Sequence, residues 1–204
     1  MFNTKEKRER SLGVHLFLKA HRCNSPKCVQ LRKGYRPGLH GQARHTVTDF
    51  GKLLNEKQKI KAGYGLREAH LWRIFEIASK NPGNTGNLIV QLLERRLDNT
   101  IFRLGIAPSR SVARQLISHG HIMVNGRKHT ISSYEVRVGD KLSIRPQSKG
   151  IAALKDLNPE ALKKTEAPAW LRLDKEKLEG EGVSLPQDIE VPFDVNMVVD
   201  YYSK

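Results

Sequence analysis

Arginine side chains recur at helical spacing in the middle of the chain, where they could bind phosphate groups. Arg110 and Arg114 are four residues apart and therefore share one face of a helix. Arg96, Asn99 and Arg103 share a face of the preceding segment in the same way. The planar fork of a guanidinium group matches phosphate oxygens better than an ammonium group does. We therefore expect two outward-facing basic surfaces that bind a polyanion.

A short hairpin that follows would bring further cationic side chains together. Asn125-Gly126 is the dipeptide that a type I′ turn favours, because both positions require positive φ. The turn joins a strand at 121–124 to a return strand that begins with Arg127 and Lys128. We therefore predict a hairpin whose tip carries clustered positive charge.

Apolar residues and helix breakers indicate the elements that hold these side chains. A first helix has one apolar face, formed by Leu93, Leu97, Ile101 and Leu104. Ser109 is a typical N-cap for a second helix, and Gly120 suits the position after its C-terminus. A second pair of strands is predicted around Gly139-Asp140, with the apolar members Tyr134, Val136, Leu142 and Ile144. These residues predict an α+β unit in which two short helices pack on a small antiparallel sheet.

The charge of the chain favours a nucleic acid as its partner. The 204 residues carry a formal net charge of +15, and 38% of them are hydrophobic. Residues 151–204 contain 7 Lys or Arg against 11 Asp or Glu, which leaves 29 against 10 in residues 1–150. Such uneven charge repels itself unless a polyanion neutralises it. The alternatives are a membrane surface or an acidic protein.

The flanking regions differ from this unit. Residues 1–45 are rich in Arg, Lys, His, Gly and Pro and lack apolar periodicity, which predicts an extended arm that orders on a partner. A helix is predicted from Asp49, with inward anchors Phe50, Leu53 and Leu54 and outward lysines Lys52, Lys57, Lys59 and Lys61. The next helix would bury Leu71, Trp72, Phe75 and Ala78. Residues 151–164 predict an amphipathic helix, and residues 195–202 have strand character.

These motifs occur in an order that resembles one protein family. Five of them are similar to the RNA-binding domain of the uS4 (S4) family of small-subunit ribosomal proteins: Arg95-Arg96-Leu97-Asp98-Asn99, Ser109-Arg110, Ala113-Arg114-Gln115-Leu116, His119-Gly120-His121-Ile122 and Val124-Asn125-Gly126. The family is also resembled by Tyr35-Arg36-Pro37-Gly38, His40-Gly41-Gln42, Glu56-Lys57-Gln58-Lys59, Asn84-Thr85-Gly86, Pro168-Ala169-Trp170-Leu171 and Asp200-Tyr201-Tyr202-Ser203-Lys204. Because nearly the whole chain is covered in order, we predict a member of the bacterial type.

The resemblance implies a domain organisation and a function. A basic arm would cover residues 1–45, and a helical domain would cover 46–86 and be completed by 187–204. The RNA-binding domain would be inserted at 87–186, with its core at 95–145. Such a protein is a structural constituent of the small subunit that binds its ribosomal RNA, nucleates assembly of the five-prime domain and contributes to translational accuracy.

Partners and location follow from the same resemblance. They are small-subunit ribosomal RNA, ribosomal protein S5 and other small-subunit proteins, within the cytoplasmic small subunit or an organellar one. Repression of its own messenger RNA, known for some members, stays open. No apolar run approaches the roughly 20 residues of a membrane span, and we expect neither a membrane partner nor a cofactor.

Clustering, rather than any single residue, selects the candidate RNA contacts. In the arm they are Tyr35, Arg36, His40, Gln42 and Arg44. In the helical domain they are Lys57 and Lys59. In the RNA-binding domain they are Arg95, Arg96, Asn99, Arg110, Arg114, His119, His121, Asn125, Arg127 and Lys128.

The two cysteines raise the question of a metal. Some family members carry four cysteines in this region, but this chain has no cysteine upstream of Cys23. Structural zinc takes four ligands, and Cys23 and Cys28 with His15, His21 or His40 could in principle provide a site. Two reduced thiols and no metal are the expectation from sequence.

Two other function classes match single motifs of the chain. Arg96-Leu97-Asp98 imitates the surroundings of the catalytic aspartate of pseudouridine synthases, but there the aspartate lies in a large domain after the module, whereas here only a short acidic segment follows. We therefore predict that the chain is not an enzyme and that Asp98 forms an ion pair with Arg95 or Arg103. A DNA-binding regulator with a recognition helix at 109–120 would need a dimerising element, and none is visible in the sequence.

Overall fold

The structure is a computed structural model that describes residues 4–19, 23, 25–44, 46–148, 150, 167–174, 178–187 and 189–203. Two compact units are present. The first unit comprises Met1–Val90 and Ile189–Lys204, and the second unit comprises Gln91–Asp188. The amphipathic helix predicted at 151–164 lies outside the described residues.

The described residues form eight α-helices and five strands. The helices are α1 Thr4–Leu12, α2 Val29–Arg32, α3 Asp49–Gly63, α4 Glu68–Ser79, α5 Thr85–Glu94, α6 Leu97–Arg103, α7 Arg110–Ser118 and α8 Val195–Ser203. The strands are β1 Ile122–Val124, β2 Arg127–His129, β3 Lys141–Ile144, β4 Leu171–Asp174 and β5 Glu179–Gly182. Within this part of the chain, no helix combines the length and the hydropathy needed to cross a membrane.

In the first unit, α8 packs against α3 and α4. The Tyr202 ring on α8 lies 5.0 Å from the Phe75 ring on α4, measured between centroids. The prediction of strand character at 195–202 is therefore wrong. Valine and tyrosine favour strands only weakly, and packing of an apolar helix face onto neighbouring helices overrides that preference. Val198 on this face is completely buried.

The helical anchors in the first unit are only partly those expected. Ile60 and Ala62 form the buried side of α3, and Phe75 is buried on α4. Phe50, by contrast, is 61% exposed and Trp72 is 47% exposed, so neither is a core residue. The prediction of an extended arm is also wrong for part of residues 1–45, because α1 and α2 lie within it.

The second unit has the predicted α+β architecture. Helices α6 and α7 pack together on a five-stranded antiparallel sheet of order β2-β1-β3-β5-β4. Its core combines helix residues such as Leu97, Ile101 and Leu116 with strand residues such as Ile122 and Leu142. The N-cap prediction is confirmed, because the Ser109 hydroxyl accepts a hydrogen bond from the Val112 N–H.

Two details of the second unit differ from the sequence pattern. The predicted first helix is interrupted at Arg95-Arg96, and α6 starts where the Leu97 N–H donates to the Tyr134 carbonyl over 2.8 Å. The predicted strand around Tyr134 is only an isolated bridge between Arg96 and Glu135. Strands β5 and β4 lie beside β3 instead. A Cβ at Gly180 in β5 would lie 2.4 Å from Cδ1 of the buried Leu104, so a larger residue there would force the Leu104 side chain to shift.

Candidate nucleic-acid interface

Charged residues at the start of the second unit are buried in ion pairs. Asp98, in the first turn of α6, is 1% exposed. Arg96 donates from Nε and Nη2 to its two carboxylate oxygens over 3.1 and 3.0 Å, and Arg114 donates from Nε to Oδ2 over 3.1 Å. The predicted partners Arg95 and Arg103 are therefore wrong. The bidentate guanidinium group of Arg96 and the guanidinium group of Arg114, which donates to one oxygen, together compensate the cost of burying one carboxylate.

A second carboxylate organises the neighbouring side chains. Glu94 is completely buried. It accepts two hydrogen bonds from Arg103, at 3.0 and 2.9 Å, and one from the Asn99 amide at 2.9 Å. Arg110 in turn donates to the Asn99 oxygen over 2.7 Å and lies over the Phe102 ring. We call these residues the buried ion-pair network, which comprises Glu94, Arg96, Asp98, Asn99, Arg103, Arg110 and Arg114.

This network corrects the expectation that the basic faces of both helices point outward. Arg96 is 7% exposed and Asn99 is 0% exposed. The physical reason is the presence of two carboxylates close by in sequence, which satisfy the guanidinium and amide groups inside the protein. Arg110 and Arg114 are half-buried and keep part of their surface exposed. Arg95 is also half-buried, and its Nε donates to the Val136 carbonyl over 3.1 Å.

Lys57 was also expected at the surface, but it is 6% exposed. Its ammonium lies 2.9 Å from Glu68 Oε1 and 4.2 Å from the centroid of the Tyr201 ring. Burial acts to raise the pKa of Glu68, yet hydrogen bonds from Lys57, Lys61 and Tyr202 prevail and lower it from 4.5 to about 2. Lys57 therefore fastens α3 to α4 and α8.

The hairpin has the predicted geometry. Asn125 and Gly126 have φ values of 50° and 75°, as a type I′ turn requires. The Asn125 side chain is held in place, because its amide donates to Asp140 over 2.8 Å and its oxygen accepts from the Lys141 N–H over 2.9 Å. Arg127 and Lys128 on β2 are exposed. Their positive charges therefore face solvent.

Two histidines and the cations Lys128 and Arg145 converge near this hairpin. We call His119, His121, Lys128 and Arg145 the cationic cluster. Burial lowers the pKa of His121, and the charges of His119, Arg145 and Lys128 lower it further. The backbone N–H of Arg145 donates to the His121 carbonyl over 2.9 Å, which places Arg145 at the end of β3 beside β1. Sequence reasoning missed Arg145, although its position directly after the predicted apolar residue Ile144 was a usable signal.

The predicted contacts of the arm lie mostly at the surface. Tyr35, His40, Gln42 and Arg44 are exposed, and Arg36 is half-buried.

Sequence reasoning missed Arg10, which donates from Nε to the carbonyls of Lys33 and Tyr35 over 3.0 and 3.1 Å. A cavity of about 470 Å³ lies beside it, lined by Glu6, Lys7, Arg10, Val29, Arg32, Lys33 and Pro37. Lys59, from the helical domain, forms an ion pair with Glu56.

Comparisons with known proteins give the family. The S4 domain matches residues 95–142, and the Ribosomal protein S4/S9 N-terminal domain matches residues 2–94. Small ribosomal subunit protein uS4 from a Thermoanaerobacter species is 46% identical over 194 residues, which are 94% of this chain and 93% of that protein. The chain belongs to the uS4 family.

Other members of the uS4 family agree with this assignment. The protein from Gloeobacter violaceus is 44% identical over 197 residues, which are 96% of this chain and 94% of that protein. The family predicted from the motifs is thus confirmed. These relatives are named as ribosomal proteins and not as enzymes, which confirms that prediction as well. Asp98, the residue that imitates a catalytic aspartate, is fully occupied by Arg96 and Arg114.

Among the residues that the structure describes, one group in this uS4 chain could hold a metal. The donor atoms of His15, Cys23 and Cys28 all lie within 4.8 Å of one another. Because the chain has two cysteines in total, the four-cysteine pattern of some members does not apply. Nitrogen and sulfur donors are nevertheless those that zinc takes in structural sites. This donor set therefore fits a zinc ion chemically.

Proposed function

We propose that this chain binds small-subunit ribosomal RNA directly, as a structural constituent of the small ribosomal subunit in the cytoplasm. The observation that carries the proposal is the cationic cluster. Its members His119, His121 and Lys128 lie, like the exposed Arg127, within the residues that the S4 domain matches, and Arg145 lies three residues beyond them. Residues 119–128 contain no Asp or Glu. The exposed positive charges of Arg127 and Lys128 are thus accessible to an external polyanion.

Phosphate neutralisation would supply most of the affinity. Each Lys or Arg that contacts a phosphate releases counterions, and binding weakens as the salt concentration rises. The proposed contacts in the second unit are His119, His121, Arg127, Lys128 and Arg145. The half-buried Arg95, Arg110 and Arg114 would add contacts through the exposed parts of their side chains. Because Glu94 and Asp98 fix the guanidinium groups of the network, these exposed parts would be held in a preorganised geometry.

The first unit offers a second set of contacts. Tyr35, His40, Gln42 and Arg44 are exposed, and Arg10 holds the backbone before them. Glycines at 34, 38 and 41 would let RNA approach that backbone closely. Two sets of contacts in one chain would allow it to hold two RNA segments at once. This suits the further proposal that the chain nucleates assembly of the five-prime domain of the ribosomal RNA.

Three finer roles rest on the family resemblance. We infer contact with ribosomal protein S5 and other small-subunit proteins, and a contribution to translational accuracy. Binding of the chain's own messenger RNA would use the same cationic surface if that RNA folds like the ribosomal site. These roles need the RNA interaction first, so the experiment addresses that interaction.

Chemical probing of small-subunit ribosomal RNA with and without the full-length protein tests the proposal. We expect backbone protections confined to the five-prime domain. The Arg127→Ala/Lys128→Ala variant should lose part of them, whereas Lys80→Ala, an exposed lysine paired with Glu76, should retain all. Reactivities that stay unchanged over the whole RNA, or that change equally in every domain, would refute specific binding.

A further inference from the structure

A cavity lined mostly by basic residues lies in the first unit. Lys7 and Arg10 are three residues apart on α1 and share one face of it, and Val29 and Arg32 share a face of α2 in the same way. The two helices pack against each other. Together with Lys33, which directly follows α2, these residues line a cavity of about 470 Å³. This volume lies within the range of about 300–1,000 Å³ that is typical of small-molecule sites.

The lining of the cavity carries an excess of positive charge. Glu6 is the acidic residue among the lining residues, and the Lys19 ammonium lies 3.5 Å from its Oε1. Within the described part of the chain, no carboxylate forms an ion pair with the exposed side chains of Lys7, Arg32 and Lys33. These three charges are therefore accessible to an anion that enters the cavity.

Arg10 holds the wall of the cavity in place. Its Nε donates to the carbonyls of Lys33 and Tyr35 over 3.0 and 3.1 Å, and its Nη2 donates to the Arg36 carbonyl over 3.4 Å. The guanidinium carbon lies 5.0 Å from the centroid of the Tyr35 ring. These contacts tie the segment after α2 to α1, so the chain positions that carry the exposed cations are fixed before a ligand binds. Such preorganisation lowers the entropy lost on binding.

Two apolar residues complete the lining and bear on the kind of anion. Val29 and Pro37 are half-buried and offer apolar surface in the same cavity as the cations. Inorganic phosphate would use the cations alone and leave most of the volume unfilled. A nucleotide combines a charged phosphate with a flat base, and a base gains from contact with apolar surface or with a guanidinium plane. The cavity therefore matches a phosphorylated nucleotide better than a simple ion.

We propose that this cavity binds one phosphorylated nucleotide. Arg32 and Lys33 contact its phosphate, and the base lies against Val29 and Pro37. A free ribonucleotide and an unpaired nucleotide of an RNA present the same groups, so either is a source of this ligand. The RNA source rests on the proposed function, whereas the free nucleotide does not.

The test is titration of the full-length protein with a fluorescent N-methylanthraniloyl derivative of ADP, followed by fluorescence anisotropy without RNA. We expect saturation at one probe per chain, with competition by ADP but not by adenosine. Arg32→Ala/Lys33→Ala should bind the probe at least about tenfold more weakly, because two charged contacts are lost. The matched control Lys52→Ala/Lys80→Ala removes the same charge from exposed lysines that do not line the cavity. Its affinity should stay within about twofold of the parent value, because salt screens exposed charges that are remote from the ligand.

Several results would overturn the proposal. The parent might show no saturable binding of the probe, or adenosine might compete as well as ADP. Equal affinities of the parent and Arg32→Ala/Lys33→Ala would also overturn it. So would equal losses in the two double variants, because attraction to the net charge of the chain would then be sufficient. If Arg32→Ala/Lys33→Ala fails to fold by circular dichroism, Lys7→Gln replaces it, with an expected loss of at least about threefold.

Addition of the five-prime domain RNA to the complex with the probe distinguishes the two sources of the nucleotide. Release of the probe at one RNA per chain assigns the cavity to a nucleotide of the RNA. A complex that retains both the RNA and the probe assigns it to a free nucleotide. If the RNA does not bind, the proposed function fails, whereas the titration without RNA still decides this proposal.

Discussion

Two regions of the second unit contain similar basic residues but use them differently. In residues 94–103, guanidinium and amide groups point inward and form the buried ion-pair network. In residues 119–128, the basic groups of His119, Arg127 and Lys128 are exposed. The first region contains Glu94 and Asp98, whereas the second contains no acidic residue.

The difference shows how a nearby carboxylate determines the role of an arginine. Where Asp98 lies two residues from Arg96, a bidentate ion pair forms inside the protein. Where no carboxylate is close, burial of the charge would be too costly, so the group stays in solvent. Only the second kind of residue has its full charge available for RNA. The first kind shapes and stiffens the helices that carry the interface.

The largest expected effect is on stability, from loss of a buried carboxylate. Asp98→Ala leaves the guanidinium of Arg96 buried without its partner, so we expect the free energy of unfolding to fall by about 3–5 kcal/mol. Urea unfolding followed by circular dichroism measures it. The control Glu179→Ala removes an exposed carboxylate from β5 and should change stability by less than about 0.5 kcal/mol. A similarly small loss for Asp98→Ala would contradict the structural role of the network.

The next effect is on RNA affinity, from loss of exposed charge. Arg127→Ala/Lys128→Ala should weaken binding to the five-prime domain RNA by on the order of 1 kcal/mol for each lost contact. Its free energy of unfolding should stay within about 0.5 kcal/mol of the parent value. Filter binding and urea unfolding on the same preparation give both quantities. A variant that unfolds easily, or binds as tightly as the parent, would show that the two regions are not distinct.

A smaller effect extends the comparison to Lys57 in the first unit. Because the pKa of Glu68 is lowered to about 2 from 4.5, its ionised form stabilises the fold above pH 4.5, and this contribution is lost as the pH falls towards 2. Glu68→Gln should therefore reduce the loss of stability on acidification. Unfolding measured across this pH range checks the slope. The control Glu190→Gln changes an exposed carboxylate and should keep the slope of the parent. Equal slopes for Glu68→Gln and the parent would argue against the ion pair between Lys57 and Glu68.

Local rules explain what the sequence predicted correctly. Ser109 as an N-cap and Asn125-Gly126 as a type I′ turn depend on a few adjacent residues, and both occur as expected. Contacts between distant segments explain most of the rest. Val198 and Tyr202 form a helix because α3 and α4 cover them. Gly180 lies in a strand that pairs with β3 and β4, and it packs closely against Leu104.

The interface was predicted only in part for a related reason. Helical spacing placed Arg96 and Asn99 on a common face, but it could not reveal that Glu94 and Asp98 would draw that face inward. The chain turns at Arg95-Arg96, so the spacing of one continuous helix does not apply there. Arg145 was missed because it meets the cationic cluster only through pairing of β3 with β1. A prediction that took the positions of nearby carboxylates into account would have been better.

The salt dependence of RNA binding tests the central claim most directly. We predict a steep fall of the logarithm of the binding constant with the logarithm of salt concentration, with about 0.7–0.9 of slope for each phosphate contact. Arg127→Ala/Lys128→Ala should reduce the magnitude of the slope by about 1.4–1.8. A parent slope near zero, or a slope that the double substitution leaves unchanged, would contradict an RNA interface built from these exposed cations.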